Sequence, residues 1–400
     1  MSLSRALALA AVTFLLMLPE TLPVPVLRGL VVERFGVGDR AATWFMSANM
    51  LGALLSAPLL GLWVERRGRR RTLAVLLLLL DALLMQGLAH PHDYPSFLAL
   101  RVLEGGAHVG ALVLVMGLVA DAAGERRGRA LGGQGAGLTL GVATGAAIGG
   151  VLGRTDPLRN LHTASVVLLV AALLAAWLLP ADRAPAHRPS LRAQVAAVRR
   201  TPGLGVPLLV AFVERFTVGF FTTGFPLLLA SVHGASRPMV GILLAAFLYP
   251  FALLSYPFGK LAERRSRRRL CAYGGLVYGA STALVGGVGL DALWVLMPVC
   301  GIGSAVLFVP SLLWLLDRAP NLGRTTAVAL FHTAGSCGFL LGPLACGQLL
   351  ALGGTRSDAG DGATFGYALA FLVAGLSQVA TALAVLRTDE PLTPPCRSTS

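Results

Sequence analysis

Twelve runs of about 20 apolar residues, broken only by short stretches of charge, proline and glycine, occupy almost the whole of this chain. They begin near Ala6, Ala41, Thr72, Ser96, Ala130, His162, Gly205, Pro238, Leu270, Ala292, Thr325 and Thr364. A bilayer core about 30 Å thick is spanned by about 20 helical residues, and its interior accepts only structures that satisfy their own backbone groups. Runs of this length therefore predict transmembrane helices. The composition agrees: of 400 residues 55% are hydrophobic and 13% charged, with a mean hydropathy of +0.73, against about 25% charged in soluble domains. The N-terminal run continues past Pro19 without a small-residue cleavage site, so it reads as the first spanning helix rather than a removable signal.

A net charge of +14 invites a nucleic acid partner, but that reading needs basic residues gathered on a folded surface. Here they sit in the connections. With both termini cytoplasmic, Lys and Arg number 24 inside and seven outside (Arg28, Arg34, Arg40, Arg154, Arg159, Arg237 and Arg356). The positive-inside rule thus predicts a multi-pass protein of the cell inner (cytoplasmic) membrane, embedded in lipid, with no nucleic acid partner. Five cysteines without CxxC spacing suggest neither disulfides nor a zinc site, and no metal site is expected.

The chain repeats itself. GLWVERRGRRRTL at 61–73 and GKLAERRSRRRLC at 259–271 agree at seven of thirteen positions, 198 residues apart; GVATGAAIGG at 141–150 aligns with GFLLGPLACG at 338–347 at nearly the same offset. Duplication of a six-helix unit follows, and because six is even the halves are parallel repeats. The expected domains are a bundle over 1–180, a cytoplasmic linker over 181–203, a second bundle over 204–387 and a short cytoplasmic tail over 388–400. The expected fold is all-α: twelve transmembrane helices as two six-helix repeats around a central cleft.

These features resemble the major facilitator superfamily. Its loop signature G-x-L-A-D-R-x-G-R-[KR]-[KR]-x-L is matched by Gly61, Glu65, Arg66, Gly68, Arg69, Arg70 and Leu73. The second copy supplies Gly259, Leu261, Ala262, Glu263, Arg264, Arg267 and Arg268, with Ser266 in place of a glycine. The resemblance implies that these loops latch the halves on the cytoplasmic side in one conformation and release them in another; the plainer reading is that basic loops merely set topology. Helix 5 carries Gly141, Gly145, Gly149 and Gly150, a spacing that lets helices approach closely. It is similar to the G-x-x-x-G-P-x-x-G-G segment of the superfamily's drug:proton antiporter branch, except that Ala146 replaces the proline; the second half keeps Gly338, Gly342 and Pro343.

Ionisable groups at membrane depth cost about 2.5–3.5 kcal/mol each on insertion scales, so each needs a partner or an aqueous cavity. Arg101, Glu104 and His108 stand at i, i+3 and i+7 on one helix face, with Glu104 in reach of both neighbours. The resemblance associates an arginine at the position of Arg101, followed by Gly105, with proton coupling; Glu104 would alternate between a carboxylate paired with Arg101 and a protonated acid. Glu20 lies among Pro19, Pro23 and Pro25, and Glu214 lies in helix 7 beside Arg215, which is turned about 100° away. In the superfamily helices 1, 4, 7 and 10 line the cleft, so Glu20, Arg101, Glu104 and Glu214 are expected to converge there. Asp81 is expected to pair structurally on a peripheral helix.

No G-x-x-x-x-G-K-[ST] occurs, so ATP is not the energy source. No nucleophile with a base or metal ligands emerges, so an enzyme is not expected, nor any cofactor. The reading is a monomeric, proton-coupled secondary transporter exporting small drug-like or amphiphilic compounds by alternating access, with protons as coupling ion. The alternatives are a proton-linked sugar or metabolite transporter of the same fold and a non-transporting receptor or scaffold.

Overall fold

The computed structural model describes residues 3–67, 69–90, 93–123, 127–180, 201, 203–319, 324–352 and 361–388. The predicted linker at 181–203 and the tail lie almost wholly outside the described residues. Twelve long helices are present among them: α1 Leu3–Thr21, α2 Asp39–Arg67, α3 Arg70–Leu88, α4 Tyr94–Ala123, α5 Arg127–Leu152, α6 Leu158–Leu178, α7 Gly205–Ser231, α8 Arg237–Ala262, α9 Arg267–Val285, α10 Leu290–Arg318, α11 Arg324–Leu352 and α12 Asp361–Arg387. Among the described residues ten are long and apolar enough to cross a membrane; α2, which runs into the first arginine-rich loop, and α9, which leaves the second, carry more polar sequence.

Local chemistry sets several ends. Pro238 opens α8, where its missing N–H costs nothing. Asp291 in the first turn and Arg318 in the last turn of α10 complement the helix dipole. Helix α1 ends in the proline run: beyond Thr21 the chain passes through a 3-10 turn at Val24–Val26 and a π-helical turn at Arg28–Glu33. Proline has no N–H to donate, and Val26 N–H turns to Pro23 O at 3.2 Å. The freed Leu22 carbonyl is met by Asn160 Nδ2 of α6 at 2.6 Å, which also donates to Gly149 O at 2.9 Å.

The duplication is visible in the packing. In the first six helices α1 packs on α5 and α6, α2 on α4, and α3 on α4 and α6; α7 packs on α11 and α12, α8 on α10, and α9 on α10 and α12 in the same way. The halves meet through α5 with α8 and α2 with α11. Small residues make this possible. A Cβ at Gly141 would lie 2.5 Å from Phe14 O, one at Gly145 would overlap the carbonyl of Leu18 in α1, and one at Gly149 that of Leu22 just beyond it. Gly338 and Gly342 stand equally close to Phe212 O and Phe216 O in α7, 198 residues beyond Phe14 and Leu18. A Cβ at Gly219 would lie 2.6 Å from Pro343, so that proline too is packed against α7. Gly150 serves a different contact: it lies against Gly241 of α8, a Cβ on it falling 3.1 Å from Gly241 Cα.

Candidate functional site

Helix α4 carries the central cluster, held against α2 by two glycine contacts that admit no side chain. A Cβ on Gly105 would overlap the Asn49 carbonyl, and one on Gly52 the Val102 carbonyl. This approach brings α2 side chains onto the charged face of α4. Arg101 Nη1 donates to Glu104 Oε2 at 2.5 Å, and Asn49 Nδ2 donates to the same oxygen at 3.0 Å. The Phe45 ring centroid lies 4.4 Å from Arg101 Cζ, a cation–π contact strengthened by exclusion of water. Arg101 and Glu104 are wholly inaccessible and His108 nearly so. The face that the sequence assigns to the cleft is therefore sealed inside the first six helices.

His108 does not turn to Glu104, as its spacing suggested. Its Nδ1 lies 2.8 Å from Asp81 Oδ2 in α3, and its Nε2 lies 3.6 Å from Glu20 Oε2 in α1. Asp81, read from sequence as a structural pair on a peripheral helix, is fully buried and belongs to this cluster through His108. Glu20 alone keeps some opening to solvent, 12% of its side chain. Two sets, Arg101–Glu104 and Asp81–His108–Glu20, thus lie side by side across α1, α3 and α4. Ligand atoms of Glu20, Glu104 and His108 lie within 4.8 Å of one another, a grouping able to hold a cation that the sequence reading did not foresee. The guanidinium 2.5 Å from Glu104 already supplies positive charge there.

Glu214 does not join this cluster. It is buried in the second half, where Ser304 Oγ of α10 donates to Oε1 at 3.2 Å and Arg215 Nε lies 3.3 Å from Oε2. The 100° turn between Glu214 and Arg215 is bridged because the arginine side chain is long enough to reach back. Among the described residues the contacts of Glu214 thus lie in the second half, and those of Glu20, Arg101 and Glu104 in the first.

A third set joins the halves at the end that the charge distribution assigns to the outside. Asp39 Oδ2 accepts from Tyr367 OH at 2.6 Å and from Ser231 Oγ at 3.1 Å, while Arg28 Nη1 donates to Ser231 at 2.6 Å. Arg237 reaches from α8 to Glu33 at 3.1 Å and to the carbonyls of Gly153 and Arg154 at 3.1 and 3.3 Å. From sequence, Arg28, Arg154 and Arg237 read as topology alone. Hydrogen bonds involving a charged group contribute about 1.5–3 kcal/mol each. We predict that Asp39→Ala opens this end: a cysteine at Ala147, which lies on α5 beside Gly241 of α8, in a background without other cysteines, should react at least about tenfold faster with a membrane-impermeant maleimide. An unchanged rate would show that closure does not depend on Asp39.

Of the first loop signature, Gly68 lies outside the described residues, as do the side-chain surroundings of Gly61, Glu65 and Arg66. Arg69 is exposed and Arg70 buried. In the second copy Gly259 lies close to α10, a Cβ there falling 3.0 Å from Val309. Arg267 pairs with Asp317 and donates to Leu313 O at 3.2 Å, and Arg268 reaches the carbonyls of Leu386 and Thr388. All of these partners are in the second half. Glu263 and Arg264 are exposed, and Glu263 has no ion pair among the described residues. Ser266, which stands where the signature has glycine, caps α9 by accepting from Arg269 N–H at 3.3 Å.

A family model described as Major Facilitator Superfamily matches residues 9–208 and again 207–399. The chain belongs to the major facilitator superfamily. It is 28% identical over 371 residues to a 3-(3-hydroxy-phenyl)propionate transporter of Escherichia coli (strain K12), spanning 88% of this chain and 89% of that protein. Among solved structures it resembles a bacterial homologue of the human lysosomal transporter Spinster in an inward-facing, occupied conformation, with TM-score 0.78, 16% identity and 95% of each chain covered. The nucleoside transporter NupG superposes with TM-score 0.77 at 12% identity, over 96% of this chain and 98% of that one. At such identities these likenesses speak for the fold alone. The twelve-helix fold and the superfamily make this protein a membrane transporter rather than an enzyme.

In the transporter, two residues that sequence reasoning did not place now complete the buried cluster. Asp81 was legible as a lone carboxylate in the apolar run of α3, but its partner was not. Asn49 gave no signal beyond being a polar residue in α2, and its part depends on the α2–α4 approach.

Proposed function

We propose that the protein is a proton-coupled secondary transporter of small organic metabolites, working by alternating access between α1–α6 and α7–α12. One observation carries the proton: a cluster buried except at Glu20 holds three carboxylates, Glu20, Asp81 and Glu104, against Arg101 and His108. Both imidazole nitrogens face carboxylate oxygens, which an imidazolium suits because each nitrogen is then a donor. That leaves one carboxylate in surplus, and burying an unpaired charge is costly, so a single proton balances the cluster. Glu20, with its partial opening, is the route for exchange with water, and Glu104 is the group whose pairing with Arg101 that proton competes with.

Closure at the Asp39–Arg237 end supports a state open towards the cytoplasm, in which Arg267 of the second loop signature is held by Asp317 and Leu313 of its own half. Domains over 1–180 and 204–387 joined by 181–203, residence as a monomer in the inner membrane, and cytoplasmic termini complete the reading; the charge distribution supports the orientation. The metabolite class is supported by the name of the Escherichia coli relative, a 3-(3-hydroxy-phenyl)propionate transporter. Export of drug-like compounds is a second reading, favoured by the α5 glycine series, although close packing on α1 and α8 accounts for those glycines equally well.

In proteoliposomes an imposed pH gradient should drive accumulation of a small metabolite, and a protonophore should collapse it. Accumulation indifferent to the gradient would overturn the coupling. Expression in a host lacking its own pumps separates the readings: raised resistance to toxic amphiphiles would favour drug export.

A further inference from the structure

The cluster around Arg101 is sealed, but the other arginine at membrane depth is not: the Arg215 side chain in α7 is 27% exposed. Charge exposed at that depth belongs to an aqueous cavity rather than lipid. The guanidinium has two protein contacts among the described residues, Glu214 through Nε at 3.3 Å and the Phe308 ring, whose centroid lies 4.6 Å from Cζ. Neither Nη nitrogen has a hydrogen-bond or ion-pair partner among the described residues. Glu214 is shared with Ser304 Oγ at 3.2 Å, so it does not spend its whole charge on the arginine.

The surroundings are aromatic. Phe308 of α10 meets Phe251 of α8 and Phe331 of α11, both with ring centroids 5.7 Å away. Phe212 and Phe216 flank Arg215 on α7 with centroids 6.1 Å apart, and Phe212, Phe216 and Phe308 are each half-buried. Gly335 of α11 leaves room for the arginine stem, since a Cβ there would lie 3.0 Å from Arg215 Cγ. An open guanidinium edge matches a carboxylate with two parallel hydrogen bonds. Partly open phenylalanine faces accept a ring beside it by offset or edge-on stacking.

We propose that Arg215, with Phe212, Phe216 and Phe308, forms the binding site for a monocarboxylate that carries an aromatic ring. The proposal deepens the transport reading and rests on it. The test uses the purified full-length protein in detergent, titrated with 3-phenylpropionate, its neutral amide and hexanoate while thermal unfolding is followed. Phenylpropionate should raise the midpoint in a concentration-dependent way. The amide and hexanoate should each bind at least about tenfold more weakly, as should phenylpropionate to Arg215→Lys, which keeps the charge but loses the fork. Equal binding of acid and amide, or unchanged affinity in Arg215→Lys, would overturn the site. Should Arg215→Lys fail to fold, Phe308→Leu carries the same test on the ring, with phenylpropionate but not hexanoate weakened; unchanged phenylpropionate binding there also counts against the site. Phenylpropionate binding without gradient-driven flux would sink the transport reading and leave the site standing. Gradient-driven flux of other compounds without phenylpropionate binding would do the reverse.

Discussion

Replacing Glu104 by glutamine should reduce pH-gradient-driven accumulation by at least about 100-fold while leaving substrate exchange across the membrane close to wild type. Glutamine keeps the shape of the side chain and an oxygen able to accept from Arg101 Nη1 and Asn49 Nδ2, now 2.5 and 3.0 Å from Glu104 Oε2, but it cannot take up or release a proton. A loss of about 3 kcal/mol corresponds to the 100-fold expected. The measurement is a pair of fluxes from the same liposomes: net accumulation under an imposed gradient, and counterflow of labelled against unlabelled substrate without one. Retained accumulation would remove Glu104 from the coupling step. Breaking a buried ion pair costs about 3–5 kcal/mol because the remaining charge is stranded, so the variant should also be less stable. The double variant Arg101→Gln/Glu104→Gln removes both members of the pair and should recover much of that stability without recovering accumulation.

The largest effect on folding is expected at the α2–α4 contact. Gly52 and Gly105 each face a carbonyl of the other helix so closely that a methyl group overlaps backbone. Backbone in a packed helix pair cannot turn aside as a side-chain end can, and overpacking costs about 1–3 kcal/mol at ordinary core sites and more where nothing yields. Gly105→Ala and Gly52→Ala should each lower the unfolding midpoint in detergent sharply, and the double variant should not accumulate in the membrane. Gly117, in the same helix, meets nothing within 4 Å of an added Cβ. Gly117→Ala should be neutral or stabilising by up to about 1 kcal/mol, from helix propensity. Equal midpoints for Gly105→Ala and Gly117→Ala would show that the close approach does not limit stability. The same contact holds Asn49 on Glu104, so this packing also positions the proposed proton site.

Much of the architecture was legible before any coordinates. The twelve helices begin within a few residues of the apolar runs, since length and hydropathy alone decide what a bilayer admits. The duplication read from two short matches reappears as one helix-pairing pattern used twice. Less legible were the partners of the buried charges. Arg101 to Glu104 is a separation along one helix, and the 3.6-residue period places both on one face. His108 to Asp81 and His108 to Glu20 cross between helices, and nothing in the chain encodes which neighbour stands opposite. Asp317, which takes Arg267, and Asp39, which gathers Ser231 and Tyr367, were missed for the same reason.

From the sequence by itself came the number of spans, the predicted orientation, the two-fold repeat and the presence of a charged face on α4, because all of these follow from periodicity and composition along one strand of chain. Only the tertiary structure decided that this face is sealed rather than open, that Asp81 and Asn49 belong to it, that Glu214 stands apart with Arg215, and that the halves are joined at the Asp39 end. Each of those depends on which helices approach within a few ångströms. That approach is set by where glycine removes a side chain between two backbones, a choice made by pairs of positions far apart in the chain.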